Sequence, residues 1–109
     1  MFEAPCVLGA DPGVAATGLA AVARSGGRIR VLWSRTVRTQ PDLDEPSRLR
    51  QLFEAVSEAI EEHRPESLAV ERVMWGKNQT SAMVVARATG VILLAAARAG
   101  VPVEEYLPA

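Results

Sequence analysis

LGADPG at residues 8–13 and LAVER at residues 68–72 are the stretches that decide the fold of this chain. Each is a short apolar run, typical of a buried strand, that ends on a carboxylate: Asp11 in the first and Glu71 in the second. A charge at the end of a core strand is costly to desolvate unless a partner compensates it. Two such carboxylates, brought together by neighbouring strands, would bind a hard divalent cation. The pattern therefore indicates metal-assisted phosphodiester chemistry.

Length and composition predict one globular domain, residues 1–109, with a single core. Apolar residues make up 49% of the chain and charged residues 23%, which is usual for a globular protein. The longest apolar run, residues 91–97, ends at Arg98, so we expect no membrane span. The N-terminus carries an acidic Glu3 and no basic leader, and a single cysteine, Cys6, excludes an internal disulfide and a thiolate zinc site. We expect a cytoplasmic protein.

The overall charge argues weakly against non-specific nucleic-acid binding, because the formal net charge is −1. Lys77 is the only lysine, and the other basic residues are arginines. Arginine suits planar recognition of phosphate, although the base composition of the genome explains this bias more simply. Any DNA-binding face must therefore come from local charge.

The hydrophobic pattern predicts three strands, a helix, a strand, a helix and a final strand. The strands are expected at residues 5–10, 17–24, 29–38, 67–71 and 101–106. The third strand alternates, which predicts Ile29, Val31, Trp33 and Val37 on one face and Arg28, Arg30, Ser34, Thr36 and Arg38 on the other, with Leu32 as an exception. The expected fold is a mixed five-stranded sheet, three antiparallel strands and then parallel strands, flanked by helices.

The second helix, which begins near Asn78 or Thr80 and ends near Arg98, is apolar nearly all the way round. Small residues at four-residue spacing permit close approach of another helix; they are Ala82, Ala86 and Gly90. One face of a sheet cannot cover so much apolar surface. We expect a second partner, either another subunit or further chain segments.

Asp11 and Glu71 would project from backbones about 5 Å apart if the first and fourth strands are adjacent. Two carboxylates at that separation repel each other unless one is protonated or a cation lies between them. Taken singly, each has a simpler explanation: Asp11 shapes the turn before Pro12, and Glu71 pairs with a nearby arginine. Their matching positions favour a magnesium site instead, where two ions would activate the attacking water and stabilise the leaving oxygen.

Other polar residues carry weaker signals. Trp75 beside Lys77, at the start of a helix, suits base stacking combined with phosphate contact. A tryptophan packed over the core, with an exposed lysine next to it, explains the pair equally well. His63 is predicted at the surface and Cys6 in the core.

Taken in order, these residues resemble the RuvC family of bacterial Holliday-junction resolvases. The resemblance rests on LGADPG followed by Thr17-Gly18, on VERV at residues 70–73, and on Lys77-Asn78 opening an alanine-rich helix. It covers nearly the whole chain and implies an RNase H-like fold and a homodimer packed through the helix at residues 79–98. Asp11 and Glu71 match the first two of four catalytic acids. The DNA contacts that it implies are Arg72, Met74, Trp75, Lys77 and Asn78.

The activity implied by the resemblance is symmetric, magnesium-dependent nicking of four-way DNA junctions in recombination and repair. It implies two Mg²⁺ ions per complete site, with Mn²⁺ as a substitute, and a branch-migration motor of RuvA and RuvB as the partner. The family's other two acids lie on a C-terminal helix, beyond a lysine-containing segment, and the 109 residues end before both. We therefore expect weak metal binding and poor or absent cleavage. Met74 stands where family members often carry a junction-inserting phenylalanine, a role that the neighbouring Trp75 would fill from a different direction.

Two other classes of function stay open. One is a non-catalytic RNase H-like domain that dimerises or binds DNA. The other is an ATP-binding half-domain of the actin-like or sugar-kinase-like type, whose first strand also ends in an acidic, glycine-rich turn. The short length and the lack of a second glycine-rich phosphate loop argue against this last class.

Overall fold

A single mixed sheet brings the ends of the first and fourth strands together. The structure is a computed structural model that describes residues 5–13, 15–72 and 79–106. Its elements are β1 (Cys6–Asp11), β2 (Ala16–Ser25), β3 (Arg28–Arg38), α1 (Glu45–His63), β4 (Ser67–Glu71), α2 (Gln79–Arg98) and β5 (Val103–Tyr106). The strand order is β3-β2-β1-β4-β5, with β1, β2 and β3 antiparallel and β4 parallel to both β1 and β5. The predicted element order and mixed five-stranded sheet are confirmed.

Both helices pack on the same face of the sheet. Leu8, Leu68 and Val70 from the strands meet Val56 of α1 and Ile92 of α2 in one fully buried cluster. Burial of each side chain of this kind stabilises the fold by about 1.5–3 kcal/mol. The opposite face, called here the open face, carries no helix within the residues that the structure describes.

Helix α1 begins and ends at capping residues. Asp44 accepts a hydrogen bond from the Ser47 backbone N–H at 2.9 Å, and Pro46 occupies the first turn, where a missing N–H is harmless. Hydrogen bonding from Ser47, through its side chain and then its backbone, holds the pKa of Asp44 below its ordinary value. The hydrogen bond that caps the helix is therefore fully formed at pH values above the ordinary pKa of Asp44. It is lost as the pH falls through the lowered pKa. At the other end, Arg64 adopts the left-handed conformation with φ 46°.

Helix α2 has a buried stripe and an exposed one. Ala88, Ile92 and Ala96 lie in the core cluster. By length and composition alone, Ser81–Arg98 could cross a membrane, which the sequence analysis did not expect. One side of this helix nevertheless packs in the core cluster. Apolar or small residues on the exposed side form what we call the outer stripe, which consists of Met83, Gly90, Leu94 and Ala97.

Strand β3 contains a β-bulge that the sequence pattern did not predict. Ala21 of β2 pairs with Trp33, but the next residue, Val22, pairs with Val31. Leu32 is therefore the extra residue of the bulge. Because side chains alternate along a strand, one extra residue exchanges the two faces of everything that precedes it.

The bulge corrects the predicted faces of β3. Ile29 and Val31 lie on the open face and are 70% and 61% exposed, whereas Trp33 and Val37 face the helices. The prediction that these four residues share a face is wrong. The second predicted face of β3 is divided in the same way. Arg28 and Arg30 precede the bulge and lie on the opposite face from Ser34, Thr36 and Arg38.

His63 is also placed differently from the prediction. It was expected at the surface, but its side chain is 17% exposed and its ring lies against that of Trp33, with centroids 4.5 Å apart. Trp33 follows the bulge and keeps the helix-facing orientation of Val37, which brings its ring to His63 at the end of α1. Cys6 is buried, as predicted, and its Sγ donates to the His63 carbonyl at 3.4 Å.

Candidate active site

Asp11 and Glu71 occupy neighbouring strand ends on the open face. Strands β1 and β4 are parallel and in register up to the pair Ala10–Val70. The next residues along the two strands are Asp11 and Glu71. Neighbouring strands lie about 4.8 Å apart, so the backbones that carry these two residues are adjacent. Each follows a buried residue, Ala10 or Val70, whose side chain faces the helices. Because side chains alternate along a strand, those of Asp11 and Glu71 lie on the open face. The predicted adjacency of the two strands is confirmed.

Neither carboxylate has a basic partner in the described part of the chain. Asp11 is exposed and Glu71 is half-buried. The simpler explanation, in which an arginine pairs with Glu71, is not realised by its neighbour Arg72. The Arg72 Nε lies 3.4 Å from Oε2 of Glu105 instead. Two adjacent carboxylates without cationic partners favour a bound cation between them.

Two glycines shape the surroundings of Asp11. Gly18 pairs with Asp11 across β1 and β2, and a Cβ at this glycine would lie 3.7 Å from the Asp11 Cβ. The glycine therefore leaves space beside the carboxylate. Gly13 allows the chain to turn directly after Asp11, because a Cβ there would collide with the carbonyl oxygen of Ala16.

A shallow groove of about 640 Å³ extends from Asp11 across the open face. Small residues of β1 and β2 line it, namely Gly9, Gly18 and Ala20. On one side it is bordered by Ser34, Arg35 and Thr36 of β3, and on the other by Tyr106, which pairs with Glu71 in β5. The alternation of β3 predicted outward Ser34 and Thr36, but no spacing in the sequence signalled that Arg35 and Tyr106 border the same groove.

The predicted DNA-contacting residues fall mostly outside the described residues. Met74, Trp75, Lys77 and Asn78 all lie there. The backbone N–H of Arg72 donates to the Tyr106 carbonyl at 2.7 Å, which continues the pairing of β4 with β5. Its side chain is 58% exposed, and its contact with DNA stays a prediction.

The donor set suits a hard divalent cation but is incomplete for two. Mg²⁺ prefers oxygen ligands and commonly takes one or two carboxylates, with water and phosphate oxygens filling the remaining positions. Asp11 and Glu71 match that requirement. No group of three or more His, Cys, Asp or Glu side chains suited to a metal occurs among the described residues. A two-ion site would therefore need further carboxylates.

Known proteins are similar to this chain in sequence and in fold. A family model described as crossover junction endodeoxyribonuclease RuvC matches residues 7–109. A protein of that name from Brevibacillus brevis is 43% identical over 102 residues, which cover 94% of this chain and 61% of the relative. The chain spans between 58% and 63% of the length of the curated relatives that it matches.

Solved structures agree with the sequence comparison. T. thermophilus RuvC in complex with a Holliday junction substrate superimposes with a TM-score of 0.87 at 36% identity, covering 94% of this chain and 66% of that one. The yeast mitochondrial Holliday junction resolvase gives a TM-score of 0.69, covering 98% of this chain and 54% of that one. At 11% identity this second likeness shows the fold alone. The predicted RNase H-like fold is confirmed.

Proposed function

We propose, from the premise that this chain belongs to the RuvC family, that it is the metal-binding core of a crossover junction endodeoxyribonuclease. Its substrate would be four-way junction DNA, and its reaction hydrolysis of phosphodiester bonds. The observation that supports this most is the adjacency of Asp11 and Glu71 at the ends of two parallel strands, without basic partners among the described residues. The junction bound to T. thermophilus RuvC supports the same substrate class.

In this proposal Asp11 and Glu71 hold Mg²⁺, or Mn²⁺ as a substitute, through their carboxylate oxygens. The cation, when bound, supplies activation of water and neutralises charge that develops on the leaving oxygen. The chain itself provides the approach. Gly9 and Gly18 place no side chain on the floor of the groove, so a phosphodiester can come close to the backbone beside Asp11. Thr36 offers a hydroxyl along the same groove.

The two carboxylates described above would hold metal weakly without further ligands. The resemblance implies two more catalytic acids in a C-terminal helix, in the part of the relatives that lies beyond the aligned region. A chimera in which the C-terminal part of the Brevibacillus brevis relative follows this chain would supply them. The resemblance also implies RuvA and RuvB as partners, which stays a prediction.

Cleavage of a labelled four-way junction with Mg²⁺ tests this function. We expect the chimera to make symmetric cuts, and the 109-residue chain to cut at least about a hundredfold more slowly, because a metal centre contributes several kcal/mol to the barrier. A chimera that folds and binds the junction without cutting would contradict the proposal. That result would favour the second candidate, a non-catalytic domain that binds DNA or dimerises.

We also propose that a second copy of the chain covers the outer stripe of α2. Met83 and Leu94 are 46% and 54% exposed there, although both are large and apolar. Gly90 lies between them and would allow the backbones of two helices to approach closely. Because each of these side chains is already about half covered, burying the rest against a partner would contribute about 1 kcal/mol each to the stability of the dimer.

Leu94→Arg is expected to convert the dimer into a monomer, because a guanidinium would be buried at the centre of the outer stripe without a partner. Sedimentation at micromolar concentration measures the change. Leu32→Arg is the matched control, since Leu32 is 46% exposed and lies on β3, away from α2. The dimer proposal fails if the unaltered chain sediments as a monomer or if Leu94→Arg leaves the dimer intact.

A further inference from the structure

The β2–β3 hairpin is the basic part of an otherwise acidic chain. Residues 12–41 contain five arginines and no acidic residue, whereas the rest of the chain has seven basic and thirteen acidic residues. All five of these arginines are exposed; they are Arg24, Arg28, Arg30, Arg35 and Arg38. Within residues 5–13, 15–72 and 79–106, none of them forms an ion pair. The net charge of −1 therefore conceals a local excess of positive charge.

Three of the five exposed arginines that the structure describes outside the hairpin form ion pairs, and Arg64 and Arg98 do not. Arg50 pairs with Glu54 on α1 at 3.5 Å, and Arg72 pairs with Glu105 at 3.4 Å. Arg87 pairs with Glu45 at 2.6 Å. The hairpin arginines have no such partner nearby, because the hairpin and the turn before it contain no acid. Their charge is available to an anion from outside the chain.

The hairpin borders the groove that begins at Asp11. Asp11, Gly18 and Thr36 form one row across β1, β2 and β3, so Thr36 lies two strand spacings, about 10 Å, from Asp11. Arg38 lies on the same face of the sheet as Thr36, whereas Arg35 alternates with Thr36 and shares the face of Val37. Because β3 is the edge strand, Arg35 still lines the border of the groove, so two arginines lie at this edge.

We propose that the β2–β3 hairpin binds the sugar-phosphate backbone of DNA, and that Arg35 and Arg38 are positioning residues that guide a strand into the groove at Asp11. This inference rests on the proposed function and extends it to a surface to which the family resemblance assigns no role. Exposed carboxylates repel a phosphodiester at long range, so positive charge beside Asp11 and Glu71 offsets that repulsion. Arginine contacts phosphate oxygens through two parallel N–H donors, which fixes the register of the bound strand.

The dimensions of the hairpin favour duplex DNA over a small phosphate ligand. Strand β3 has eleven residues and extends for roughly 33 Å, which is close to one turn of duplex DNA. On the open face, Arg24 of β2 and Arg38 of β3 lie near opposite ends of the hairpin, whereas the bulge places Arg28 and Arg30 on the other face. A single phosphate would occupy only one of the two open-face arginines, whereas a duplex arm would contact both.

The test is the binding of fluorescent DNA to the 109-residue chain over a series of salt concentrations. Two probes are used: a four-way junction and a linear duplex with the sequence of one arm. Arg35→Gln combined with Arg38→Gln is expected to reduce the slope of log affinity against log salt by about 2 and to weaken binding about tenfold. Each single variant is expected to reduce the slope by about 1.

Two comparisons separate a phosphate contact from loss of charge or structure. Arg50→Gln removes the same charge from the outer side of α1, away from the groove, and is expected to leave the slope unchanged. Lysine at positions 35 and 38 (Arg35→Lys with Arg38→Lys) keeps the charge and is expected to retain most of the slope while losing the bidentate geometry. Circular dichroism verifies that each variant is folded.

Each outcome decides the inference. An unchanged slope and affinity in the Arg35→Gln, Arg38→Gln variant, with the junction still preferred over the duplex, overturns the hairpin contact and leaves the proposed function standing. Equal binding of junction and duplex, with the expected loss in that variant, supports the hairpin contact and contradicts junction selectivity. Failure of the unaltered chain to bind either probe overturns both.

Discussion

Asp11→Asn, introduced into the chimera with the Brevibacillus brevis C-terminal part, is expected to reduce junction cleavage about a hundred- to a thousandfold. The amide has nearly the shape of the carboxylate but no charge, so it removes attraction for the cation and little else. Asp11 lies at the surface, at the very end of β1, so the folded core is expected to survive the substitution. The rate is measured on a labelled junction at saturating Mg²⁺.

The matched control is Asp42→Asn. Asp42 is exposed in the loop that precedes α1, and the same substitution there changes the same charge at a residue outside the strand ends that carry Asp11 and Glu71. We expect this control to cut at the rate of the unaltered chimera. Cleavage by Asp11→Asn at the same rate as the control would end the assignment of Asp11 as a metal ligand.

Gly13→Ala is the second substitution with a large expected effect. The added Cβ would collide with the carbonyl oxygen of Ala16, which is backbone and cannot rotate away. The turn after Asp11 must therefore shift, and we expect a loss of about 1–3 kcal/mol in the free energy of unfolding. Because this turn fixes the end of β1, cleavage by the chimera should fall together with its stability. Urea unfolding and the junction assay measure the two effects.

Gly9→Ala provides the comparison for that result. Gly9 lies two residues before Asp11 on the same face of β1, but a Cβ there would be 3.8 Å from the Ala20 carbonyl oxygen, an ordinary contact. We expect a far smaller change in stability for this variant. If Gly13→Ala and Gly9→Ala behaved alike, the turn after Asp11 would not require glycine and this part of the account would be wrong.

The carboxylate pair was predictable because it depends on only two features of the sequence. Apolar runs that end on Asp11 and Glu71 identify strand ends, and parallel neighbours in a sheet necessarily place such ends at one edge. The prediction of the pair took the adjacency of β1 and β4 as a condition, which local spacing does not encode and which the structure supplies.

The faces of β3 were not predictable, because the deviation depends on a single unpaired residue. Leu32 broke the alternation in the sequence, but the pattern could not show whether it was an exposed exception or the extra residue of a bulge. The bulge turns Ile29 and Val31 to the open face and leaves Trp33 to contact His63. The groove residues Arg35 and Tyr106 were missed for a related reason: they reach the site through sheet order, which local spacing does not encode.

Binding of Mn²⁺ by the chimera, followed by electron paramagnetic resonance, tests most directly whether the two carboxylates share a cation. The account predicts that Asp11→Asn and Glu71→Gln each remove most of the bound Mn²⁺, and that combining them adds little, because either substitution already breaks the joint site. Folded single variants that bind Mn²⁺ as tightly as the unaltered chimera, or two losses that simply add, would contradict it.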